Sequence, residues 1–116
     1  MTVLASLVSS ALDTARTDPH GRYADLLVSD GPLRQTLIAL RGGASLAAHN
    51  SPPAASMLVL EGHIRITGDD PAELHRGDLQ ALTHERHGVE AQEDSVFLLT
   101  TVTSVPGTTS FGAAEG

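Results

Sequence analysis

Cysteine, lysine and tryptophan are all missing from this sequence. Without cysteine there is no disulfide and no thiolate site, an absence that fits a cytoplasmic protein. Without lysine every positive charge is an arginine. The seven arginines, from Arg16 to Arg86, are scattered through a chain of net charge −7. Phosphate binding by counterion release needs clustered cations, and an aromatic share of 3% offers no platform for stacked bases. These absences argue against nucleic acid and anionic membrane surfaces as partners. Long apolar runs are lacking too, since no stretch approaches the roughly 20 apolar residues of a spanning helix. The opening residues, MTVLASLVSSALDTAR, carry no basic residue before Arg16, and Ser6, Ser9 and Ser10 interrupt their apolar run. They do not read as a signal peptide.

What is present suits one small domain. The chain has 116 residues, 41% of them hydrophobic, enough for one core built from Leu, Val, Ile and Ala. Leu4, Leu7, Val8, Ala11, Leu12 and Ala15 recur at helical spacing, and Asp18-Pro19-His20-Gly21 breaks the pattern, which predicts an amphipathic helix over 1–17. From there to residue 108 the texture is short apolar runs separated by Gly, Pro and Asp, as in an all-β barrel or sandwich. In His63-Ile64-Arg65-Ile66-Thr67 the isoleucines should face inward. Leu37–Leu40, Met57–Leu60 and Val96–Leu99 are apolar on both faces, so they call for a cover of helix or second subunit, and a homodimer is expected. Residues 109–116 lack periodicity and read as a flexible tail.

Six histidines stand at 20, 49, 63, 75, 84 and 87. Imidazole is the commonest ligand of catalytic metals, and His49, His84 and His87 sit at the ends of predicted strands. His63, on an outward position, His75, in a turn, and His20, in the breaker, read as surface residues. Asp78 suits a turn, accepting local backbone N–H bonds. Glu90, Glu93 and Asp94 read as a solvated acidic rim.

Gly43 is followed after five residues by His49, Glu61-Gly62 comes next, and Gly77-Asp78-Leu79 is followed, ten positions after Gly77, by His87. With the closing run Glu93–Thr100, this pattern resembles the small single-domain cupins over roughly Gly21 to Val102. The resemblance implies an all-β fold, a double-stranded β-helix (jelly-roll) barrel with a short N-terminal helix. It also implies a site of three His and one Glu for a divalent transition metal. Here the second His falls on Ser51 and the Glu on Ala55, leaving His49 and His87. Catalytic metals usually take at least three protein ligands, so His84 would have to serve as the third. On a straight strand His84 and His87 face opposite ways, and convergence needs a bend at Glu85-Arg86.

Two readings follow. In one, the barrel binds or senses a small apolar molecule in a pocket of His49, Ala55, Met57, Val59 and His87. In the other, it is a metal-dependent enzyme of dioxygenase or isomerase type using His49, His87 and His84. Glu85 is then the carboxylate placed to act as acid or base.

Overall fold

The structure, a computed structural model, describes residues 1–49, 54–82 and 87–103, with the backbone alone at His49. The opening segment forms helix α1, Leu4–Thr17. Nine strands follow among the described residues: β1 Arg22–Asp30, β2 Leu33–Leu40, β3 Ser45–His49, β4 Ala54–Glu61, β5 His63–Thr67, β6 Ala72–His75, β7 Leu79–Ala81, β8 His87–Ala91 and β9 Ser95–Val102. Each coincides with an apolar run of the sequence to within two residues. No helix among the described residues is long and apolar enough to cross a membrane.

The strands pair antiparallel in two sheets, ordered β1-β2-β9-β4-β7 and β3-β8-β5-β6. The inner faces enclose one core: Ile38, Met57, Val59, Ile64, Ile66, Val89, Ala91 and Phe97 are all buried. Both isoleucines of β5 point inward and Arg65 outward, as alternation requires. Full burial of side chains such as Val59 and Phe97 contributes about 1.5–3 kcal/mol each.

The two-sided apolar strands find part of their second cover in α1. Ala11, Leu12 and Ala15 pack on the outer face of the larger sheet against Leu37, Ala39 and Val96, with Leu60 at the margin. The helix turns its apolar stripe to the sheet because its small residues fall one turn apart, allowing a close approach.

At one end of the barrel the chain passes between sheets four times, at Arg41–Ala44, at Gly62, at residues 76–78 and at Gln92–Asp94. Asp94 ties the first and last of these corners to the helix. Its Oδ1 accepts the Gly42 N–H at 2.8 Å, and its Oδ2 accepts Arg16 Nε at 2.7 Å. Asp94 is thus a clasp as well as part of a solvated rim. The Gly42 amide first, and the Arg16 guanidinium second, hold its carboxyl below the usual range. A carboxyl whose folded pKa is depressed stabilises the fold above its unfolded pKa, and that stability is lost as pH falls through the folded value. Asp94→Ala should therefore cost about 1 kcal/mol at neutral pH, a figure discounted for the side chain's partial exposure. The difference from the parent should shrink as pH falls below the ordinary carboxylate pKa of about 3.9, which thermal melts across pH 2–7 will check.

Candidate functional site

The opposite end carries His49 and His87. On β8, His87, Val89 and Ala91 occupy the inward phase, and Val89 and Ala91 belong to the core. On the neighbouring β3, Ser45 pairs with Glu90 and Leu46 with Val89, but the next partners are His49 and His87. An even register would set Ala48 opposite His87. One extra residue between Leu46 and His49 brings His49 there instead, and such bulges commonly re-aim a residue beside a functional site. Gly88 makes room for it. A Cβ at Gly88 would stand 2.9 Å from the Leu46 carbonyl oxygen, 3.3 Å from the Ala48 nitrogen and 2.7 Å from Thr67 Oγ1.

His87 is half-buried and lines a recess of about 20 Å³ with Ile66, Ala72, Leu82, Gln80 and Asp70. That volume admits about one water molecule. Met57, Val59 and Val89 form the packed interior behind it. The β4–β7 pairing sets Gln80 opposite Met57, and the Leu82 N–H donates to the Ala55 carbonyl at 2.9 Å. An imidazole, a carboxylate and an amide thus rim an apolar floor. Such a set can hold one polar group of a molecule whose remainder is apolar.

The residues singled out from the sequence are only partly brought together. His49 and His87 share a rung, and Met57 and Val59 lie inside the core. Ala55 is half-buried on β4 and borders a different hollow, of about 200 Å³, with Ala54, Ser56, Thr100 and Val102. Ser51, His84 and Glu85 lie outside the described residues, as does the 109–116 tail. Asp70 and Gln80 carried no signal in the sequence. One sits in a Gly-Asp-Asp-Pro turn, the other in a strand three residues long.

On the same sheet as His87, but at its other end, lie His63 and His75. His63 and His75 are cross-strand neighbours with rings stacked at 4.2 Å, and His63 Nε2 lies 2.5 Å from Glu73 Oε1. Asp78 performs its turn role, its Oδ2 accepting the His75 N–H at 2.8 Å.

No family model matches the sequence, and no curated protein does either. Solved structures are decisive for the fold. A cupin superfamily protein from Desulfitobacterium hafniense superposes with a TM-score of 0.67 at 19% identity, over 72% of this chain and 78% of that one. This chain has the cupin fold. A conserved Streptococcus pyogenes protein of unknown function matches this cupin barrel at TM-score 0.68 and 25% identity, over 75% of this chain and 78% of that one. Salicylate 1,2-dioxygenase from Pseudaminobacter salicylatoxidans matches at TM-score 0.71 and 16% identity. The overlap there is 84% of this chain but only 33% of the dioxygenase.

The donors among the described residues do not make up the metal site that cupins commonly hold. Ala55, at the position of the expected Glu, offers no donor atom. Among the described residues no group of three His, Asp or Glu is arranged to hold an ion. Of the four ligands the resemblance implies, the sequence keeps His49 and His87, which fall on paired backbone positions.

Proposed function

We propose that this cupin binds a small, largely apolar molecule at the open end of its barrel, with His87 and His49 engaging the molecule's polar group. The observation that carries this reading is the bulge-set pairing of His49 with His87 over an apolar floor. The packed floor of Met57, Val59 and Val89 supports it, because a surface without charge suits an apolar guest. The same pairing favours a second reading, a metal-dependent enzyme in which His84 completes the site.

Phenol is a suitable probe, joining an apolar ring to one hydroxyl that an imidazole can bond. Binding to the native state alone at ten times its Kd adds about 1.4 kcal/mol, or roughly 4–6 °C in Tm. The parent should show that rise in a thermal melt, and His87→Ala should lose most of it. No shift in the parent at saturating phenol, or an equal shift in His87→Ala, would count against the proposal. Calorimetric titration with zinc separates the two readings. Weak, non-stoichiometric binding is expected here, whereas tight binding that is lost on changing both His49 and His87 to Ala would favour the enzyme.

A further inference from the structure

His87 shares its recess with a carboxylate. Ile66 of β5 pairs with Ala72 of β6, and the turn of residues 67–71 between them sets Asp70 on the rim. Among the described residues Asp70 makes no ion pair and no side-chain hydrogen bond. Other carboxylates of this sheet and the corner after it are engaged, Glu73 by His63 and Asp78 by the His75 N–H. Gln80, also on the rim, donates Nε2 to the Ala81 carbonyl at 3.1 Å, which leaves its amide oxygen to accept from a guest.

No arginine lines the recess among the described residues. Arg34, at the open end of β2, donates Nη1 to the Gly31 and Leu33 carbonyls at 2.5 and 2.9 Å. Arg65 lies on the outer face of its sheet, its Nε 3.6 Å from Glu73 Oε2. A rim of acceptors without a cation favours a positively charged donor and opposes a carboxylate. The net charge of −7 biases the surrounding field the same way.

We propose that the guest is an apolar amine, its ammonium group held by Asp70 and Gln80 beside His87. This specificity rests on the open end being the binding site, and it adds which polar group is admitted there. The recess of about 20 Å³ suits a head group the size of a water molecule, so the apolar remainder lies over its mouth. Asp70, exposed in its turn, then sets the charge of the guest without supporting the core.

Benzylamine, phenol and benzoate test it, since they share one ring and present a cation, a neutral hydroxyl and an anion at neutral pH. Calorimetric titrations of the full chain at low ionic strength keep the charge effect unscreened. The parent should bind benzylamine about tenfold more tightly than benzoate. Asp70→Asn, nearly identical in shape, should bring the two within about threefold and leave phenol within about twofold of the parent. Asp70→Lys should invert the preference, and it serves as the second variant should Asp70→Asn fail to fold. Benzoate bound by the parent as tightly as benzylamine, or a preference unchanged in both variants, overturns the amine specificity and leaves the phenol result standing. If none of the three probes binds the parent, the open end is not the site, and the specificity falls with it.

Discussion

Gly62→Ala is expected to lower stability by about 3 kcal/mol or more. Gly62 is the lone residue between β4 in one sheet and β5 in the other, and it turns that corner at φ +90°. A side chain in this region costs about 1–2 kcal/mol by itself. The added Cβ would also meet the Asp94 carbonyl oxygen and Ser95 Oγ at 2.3 Å, and the Ser95 Cα at 2.8 Å. Neither backbone atom can rotate away, and Ser95 is fixed. Its fully buried hydroxyl accepts the His63 N–H at 3.0 Å and lies 2.7 Å from the Glu93 carbonyl, to which it donates. Gly43→Ala is the internal control. Its φ is +92° but nothing lies within 4 Å of the added methyl, so only the backbone cost of about 1–2 kcal/mol should appear. Chemical denaturation of both variants measures the difference. Equal losses would mean that the Gly62 corner yields freely.

Phe97→Ala should cost about 3–5 kcal/mol, the range for deleting a buried aromatic ring. Phe97 is fully buried at the centre of the larger sheet, where β9 sets it between Ile38 of β2 and Val59 of β4. With an aromatic share of 3%, no neighbouring ring is available to close the void. Phe97→Leu keeps most of the volume and should lose less than half as much. A denaturation midpoint for Phe97→Ala within about 1 kcal/mol of the parent's would contradict this account of the core.

The fold was legible because its signals are local. Ile64 and Ile66 alternate with Arg65, apolar runs recur between Gly and Asp turns, and Gly62 stands where only glycine fits. The double-sided strands Leu37–Leu40 and Val96–Leu99 announced a second cover, and α1 supplies part of it. The site was less legible. Spacing pointed to His49 and His87, but the bulge that makes them partners depends on a contact between β3 and Gly88, which sequence periodicity does not carry. Asp70 joins His87 only through folding of the β5–β6 turn onto the barrel's end. Ala55 illustrates the converse. Its strand phase matched that of Met57, yet it borders the outer hollow, because β4 is nearing its end where the barrel opens. Asp94 read as a surface acid because its partners, Arg16 and Gly42, come from distant parts of the chain.

The central proposal is that the open end of the barrel, marked by His49 and His87, is where this cupin-fold protein binds a small molecule. Backbone amide chemical shifts recorded during a phenol titration test it most directly. The account predicts saturable changes largest at His87, Leu82 and Gln80, with the stacked His63 and His75 unmoved. Changes centred on Ser56 and Thr100, or on the His63–His75 pair, with none at His87, would contradict it.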